Sequence, residues 1–115
     1  LLAAAGIEAP GIMQGVNQLD VWYGRQHAAR DYALVENRHN PTTVHLRTLI
    51  TERYKITVYR NAAYGELFDL ERDPGEHCNH WDDPAYAGVK AELLHKFVQA
   101  EIQREPTRMP RIAGA

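Results

Sequence analysis

The spacing of apolar and polar positions changes character along the chain, and the changes mark out its elements. Residues 32–37 form a short run carrying Tyr32, Leu34 and Val35 between charged neighbours. Residues 44–51 alternate cleanly, with Val44, Leu46, Thr48 and Ile50 on one face and His45, Arg47, Leu49 and Thr51 on the other. Residues 54–60 repeat the pattern, setting Tyr54, Ile56 and Val58 opposite Lys55, Thr57 and Tyr59. The polar residues Thr51, Glu52 and Arg53 between these runs predict a hairpin. Arg38-His39-Asn40-Pro41 predicts a break, because Pro41 removes a backbone donor and pushes Asn40 toward an extended conformation. Residues 61–65 read as a second turn and 66–70 as a short further strand. Loops this short require antiparallel neighbours, since parallel pairing needs a crossover of a dozen or more residues.

Beyond residue 70 the period lengthens. Asp73-Pro74-Gly75-Glu76 is a turn in which Pro74 pre-sets its backbone angle and Gly75 offers a positive φ. Asp83 suits a helix cap and Pro84 the first helical position. Tyr86, Val89, Leu93, Phe97 and Ala100 follow at spacings of three and four, and Leu94, Val98 and Ile102 widen the stripe. Pro106 predicts the stop, and a loose tail follows. The predicted architecture is α+β, a small antiparallel sheet with one long amphipathic C-terminal helix across a face.

The first residues read differently. Leu1-Leu2-Ala3-Ala4-Ala5 are good helix formers, and Gly6 sits where a left-handed cap belongs. The chain thus reads as opening inside the last turns of a helix, which predicts a piece of a longer protein. Residues 7–23 form a connector punctuated by Pro10, Gly11 and Gly15, with Gly24 after it. Its apolar groups, among them Ile12, Met13, Val16, Leu19, Val21 and Trp22, are too many for a free linker and predict contact with an apolar surface. The expected organisation is a helix end and connector over 1–24, a subdomain over 25–105 and a flexible tail over 106–115.

Composition narrows the chemistry. The 115 residues carry 13 Lys and Arg against 15 Asp and Glu, a formal charge of −2, which leaves no basic footprint for nucleic acid or an anionic membrane. The longest apolar stretch, residues 1–7, is too short to span a bilayer. There is no serine, which excludes Ser-His-Asp catalysis and Ser-based phosphate loops within the chain. Cys78 is alone, so no internal disulfide forms, and the compartment, bacterial cytoplasm or periplasm, stays open.

Two clusters invite a functional reading. His77, Cys78 and His80 supply zinc-type ligands, but their adjacency strains a shared ion and no second ligand pair follows at finger-like distance. The plainer reading is a polar loop leading into a capped helix. Arg38, His39, His45 and Arg47 gather cationic or titratable groups around Pro41, with the bidentate fork of Arg and the donors of His suited to an anion. Against this, His45 and Arg47 lie on the polar face of their strand, where solvation is the plainer expectation. The six Tyr and two Trp fall at core positions without a basic stripe, so packing outweighs base stacking.

Three stretches resemble the C-terminal region of sulfatases of the alkaline-phosphatase superfamily. Residues 1–7 with Pro10 and Gln14-Gly15 resemble the family's helix end and connector. Residues 46–55 are similar to its R-T-x-x-T-x-x-Y-K hairpin. Gly65-Glu66-Leu67-Phe68-Asp69-Leu70-Glu71-Arg72-Asp73-Pro74-Gly75-Glu76, followed by Asn79, resembles its G-E-L-Y-D-L-x-x-D-P-x-E-x-x-N signature. Phe68 stands where Tyr is usual, Asn17 where Ser is usual and His80 where Leu is usual.

The resemblance implies a four-stranded antiparallel sheet with a C-terminal helix. It also implies a parent enzyme that hydrolyses sulfate esters with a formylglycine made from a Cys-x-Pro-x-Arg motif, beside a divalent metal, calcium in the usual case. Cys78-Asn79-His80-Trp81-Asp82 is not that motif, so no catalytic or metal residue is carried over. The implied role is a subdomain packed against an N-terminal catalytic domain of the same parent and bordering the cleft for a sulfate-ester substrate. By that analogy Arg38, His39 and His45 are the candidate substrate-binding residues at the cleft rim. The alternatives are the same region of a phosphonate monoester hydrolase, a small metal-binding domain on His77, Cys78 and His80, or an interaction module that self-associates through exposed apolar surface.

Overall fold

The computed structural model describes residues 1–10, 13, 15–40 and 44–104. Pro41, Pro106, the tail over 106–115 and the connector residues Gly11, Ile12 and Gln14 lie outside the described residues. Two compact units are distinguished, one of Asp31–Ala100 and one of Leu1–Arg30 together with the stretch from Glu101 onward.

In the larger unit four strands pair in chain order as an antiparallel meander: β1 (Tyr32–Asn40), β2 (Val44–Thr51), β3 (Tyr54–Tyr59) and β4 (Gly65–Asp69). Register explains which face became the core. Leu34 pairs with Leu49, Leu49 with Ile56, and Ile56 with Leu67, so one apolar row crosses all four strands. Leu49, Ile56 and Leu67 are closed to solvent, and they cluster with Leu93, Phe97 and Ala100 of the C-terminal helix (Ala87–Arg104). A row of large aliphatic groups cannot be left wet, so a helix with a matching stripe covers it. The stripe is narrower than its widest reading: Val98 is exposed.

Two local expectations are corrected. Arg38, His39 and Asn40 do not break the strand; they continue β1. The register against β2 shifts between Asn37 and Asn40, and such an irregularity lets a strand continue through residues of low β preference. The tight turn near Pro74 places its positive φ at Glu76 (56°), and Gly75 is not among the positive-φ glycines. The Glu76 N–H donates to the Asp73 carbonyl at 3.1 Å and its carboxylate pairs with Lys55, so tertiary contacts hold the unfavourable backbone.

The remaining turns follow the expected chemistry. The β2–β3 connection is closed by Thr51 Oγ1, which accepts from the Tyr54 N–H at 2.9 Å. The helix begins with a 3-10 turn, Pro84–Tyr86, whose Asp83 cap accepts from the Ala85 N–H at 2.9 Å. In the smaller unit a 3-10 turn, Ala3–Ala5, ends on Gly6 in the left-handed conformation, φ 69°, and a single helical turn spans Leu19–Trp22.

Candidate functional site

The β1–β2 ribbon gathers a polar cluster on the helix-covered face of the sheet. Glu36 and Arg47 are directly opposite in register, the two-residue period of β2 puts His45 on the Arg47 face, and Arg38 meets Glu36 from the irregular stretch of β1. Arg38 Nε pairs with Glu36 Oε1. His45 Nε2 lies 3.3 Å from the same oxygen, and Arg47 Nη2 lies 3.7 Å from Oε2. The Arg38 side chain keeps 55% of its exposure, whereas His45 keeps 21%. Among the described residues His45 Nε2 is shut off from solvent and makes no hydrogen bond, Glu36 Oε1 being its charged neighbour.

The polar-face reading of His45 and Arg47 is thereby corrected. They share their face with Leu49 at the centre of the core and are half-buried toward the far end of the ribbon. Arg38 and His45 are brought together, while His39 lies on β1 with its side chain outside the described residues. Sequence reasoning missed Glu36, the group that joins the cluster. Its signal was present: a carboxylate on β1 falls opposite Arg47 once the hairpin register is set by the apolar row.

The signature residues around β4 have another role. Asp69, 1% exposed, accepts from Arg53 Nε at 3.2 Å and Nη2 at 2.9 Å, which ties the start of β3 to the end of β4. The Arg53 guanidinium holds the Asp69 carboxyl below the usual carboxylate range, and Asp69 in turn pushes Arg53 up. Glu66 accepts from the Tyr59 hydroxyl at 3.0 Å and the Tyr64 hydroxyl at 3.3 Å; burial first, and then this contact, raise Tyr59. Asn79 Oδ1 accepts from the Leu67 and Trp81 N–H groups, both at 3.0 Å, and its amide donates to the Gly65 carbonyl at 3.1 Å. Trp81 lies over Gly65 so closely that a β-carbon there would overlap its ring. The Arg53 and Tyr59 contacts tie β3 to β4, and those of Asn79 and Trp81 fasten β4 to the loop after it.

The His77-Cys78-His80 loop shows the same bias toward structure. The Cys78 side chain is exposed, and its N–H donates to Asp73 Oδ2 at 2.8 Å. His80 Nδ1 lies 3.1 Å from Asp83 Oδ2, and its ring stacks on Tyr86 at 4.0 Å between centroids. The Ala85 N–H, and then His80, hold Asp83 below its ordinary range. Among the described residues no three His, Cys, Asp or Glu side chains gather as a metal site, and no helix is long and apolar enough to cross a membrane.

The chain is similar to known proteins in sequence and fold. Residues 1–103 match the family model described as N-sulphoglucosamine sulphohydrolase, C-terminal. The chain is 32% identical over 100 residues to a Δ4,5-hexuronate-2-O-sulfatase of Bacteroides thetaiotaomicron, covering 82% of this chain and 21% of that protein. The structure of a 2-O GAG sulfatase superposes with a TM-score of 0.75 at 28% identity, covering 90% of this chain and 23% of the other. A structure solved with its substrate D-glucosamine-2-N,6-O-disulfate superposes at 0.81 over 97% of this chain and 24% of the other, with 20% identity, a likeness of fold. The chain therefore spans about a fifth to a quarter of the length of these relatives.

Proposed function

The chain belongs to the N-sulphoglucosamine sulphohydrolase C-terminal family, and from that premise we propose that it serves as the non-catalytic C-terminal subdomain of an enzyme that hydrolyses sulfate esters. The observation that carries this reading is the match of nearly the whole chain to one end of sulfatases several times its length. The substrate class it supports is a sulfated sugar, as the name of the hexuronate sulfatase indicates for that relative. An N-terminal catalytic domain is the partner the reading requires.

Formylglycine and a divalent metal would supply the sulfate-ester chemistry in such an enzyme. The residues of this chain do not fit either group. Cys78 is followed by Asn79-His80-Trp81-Asp82 in place of Cys-x-Pro-x-Arg, and His80 and Asp83 are engaged with each other and with Tyr86 and Ala85. No step of the reaction is assigned to this chain.

What the chain does offer is a rim. Arg38, His39 and His45 lie on the outer end of the β1–β2 ribbon, and an exposed guanidinium there matches the anionic character of a sulfated sugar. The organisation into a connector over 1–24, a subdomain over 25–105 and a tail over 106–115 belongs to the same proposal.

The test is made in the full-length polypeptide that carries this segment. Arg38→Ala and His39→Ala are each expected to lower kcat/KM for a sulfated sugar by about tenfold, the scale of one charge-assisted hydrogen bond. Values unchanged for every sulfate ester tried would remove these residues from the rim.

A further inference from the structure

One carboxylate oxygen organises the cationic cluster, and the way it does so has a chemical consequence. Glu36 Oε1 faces Arg38 through Nε, the inner nitrogen of the guanidinium. The Arg38 side chain is 55% exposed, and its two terminal amino groups are the further donors that the guanidinium carries. The same oxygen faces His45 through Nε2, so Nδ1 is the ring nitrogen turned away from the carboxylate.

The cluster also differs from the other ion pairs of the molecule. Lys55 with Glu76 and Lys96 with Asp31 each join one cation to one carboxylate. Arg53 and Arg72 are set against Asp69 and Glu71. At Glu36 one carboxylate meets three cationic or titratable side chains, Arg38 and His45 at Oε1 and Arg47 at Oε2. Among the described residues His45 Nε2 is buried without a hydrogen-bond partner, 3.3 Å from that carboxylate, a feature that calls for an explanation.

We propose that Glu36 is a positioning residue: it holds Arg38 and His45 so that their outer nitrogens receive a second, non-reacting oxyanion of the substrate, a sulfate or a carboxylate. This rests on the cleft-rim reading above. The ester being cleaved is held elsewhere, so the cluster reads whatever further negative group the substrate carries. Planar forked donors favour such tetrahedral or planar oxyanions over neutral hydroxyls.

Isothermal titration calorimetry of the full-length polypeptide with three probes tests it. An aryl monosulfate carries only the reacting group; a disulfated glucosamine adds a sulfate, and a monosulfated hexuronate adds a carboxylate. At least one of the latter two is expected to bind the unaltered protein about tenfold tighter than the aryl monosulfate, and which one identifies the second oxyanion. Glu36→Gln and Arg38→Ala are each expected to erase that advantage, read as the ratio of the two affinities within each variant. The double variant is expected to bind no more weakly than Arg38→Ala alone, since Glu36 acts through its partners.

If Arg38→Ala erases the advantage and Glu36→Gln preserves it, the positioning role is overturned and the rim reading stands. If no probe is preferred, or Arg38→Ala changes nothing, both fall. Should Glu36→Gln lower the melting temperature, Arg38→Lys decides the matter. It keeps the charge and lacks the Nε that Glu36 holds, so it too must lose the advantage, and retention overturns the proposal.

Discussion

Asp69 is almost closed to solvent, yet it remains the charged end of a bidentate pair because Arg53 donates two hydrogen bonds to it. Its carboxyl is held below the ordinary value of 3.8, with the hydrogen bonds from Arg53 the leading cause. A depressed carboxyl contributes stability at neutral pH, and that contribution is lost as the pH falls below about 4 and on through the folded-state value. Asp69→Asn should therefore destabilise strongly at pH 7 and much less at pH 3, as read by urea unfolding at the two pH values. An equal effect at both would contradict the linkage. Asn79→Ala should cost about 1–3 kcal/mol, because the Leu67 N–H, the Trp81 N–H and the Gly65 carbonyl all lose a partner. Thermal or urea unfolding of the variant measures it. These roles were only partly legible from sequence. Asp83 and Pro84 announce a helix start by type and position alone, whereas Arg53 and Asp69 stand sixteen residues apart and meet only through strand register.

At the scale of elements, the strands, the hairpin and the helix follow from periodicity, because alternation and three-to-four spacing are local properties. The choice of core face does not. Strand β2 carries large apolar groups on both faces, and only its pairing with Leu34 and Ile56 makes Leu49 the buried one. For the same reason His45 and Arg47 came to lie on the helix-covered face. The reach of β1 through Arg38–Asn40 was hidden too, since no propensity marks a bulged strand end. Leu49→Ala should cost about 2–5 kcal/mol, the range for a fully buried leucine whose neighbours cannot collapse into the gap. Ile50→Ala, next in sequence and on the opposite face where it is only half-buried, should cost distinctly less. Comparing the two by urea unfolding tests the assigned register directly, since a slip of one residue would reverse their order.

For the molecule as a whole, the signature that carries the family resemblance turns out to hold the fold together. Asp69 and Asn79 fasten loop to sheet, Glu66 binds two tyrosines, Gly65 admits Trp81, and Asp73 and Glu76 shape the following turn. On the proposed reading the β1–β2 ribbon faces the substrate, with Arg38 and His45 at its end. Family membership was legible because the signature is dense and contiguous. The cluster was legible only in part, because Glu36 joins it across strands. The central claim is that this segment contacts the substrate without entering the reaction. Steady-state kinetics of the Arg38→Ala/His45→Ala variant of the full-length enzyme on a sulfated sugar tests it most directly. The account predicts a KM raised about tenfold or more with kcat within about twofold of the unaltered enzyme. A kcat lowered by orders of magnitude at an unchanged KM would contradict it.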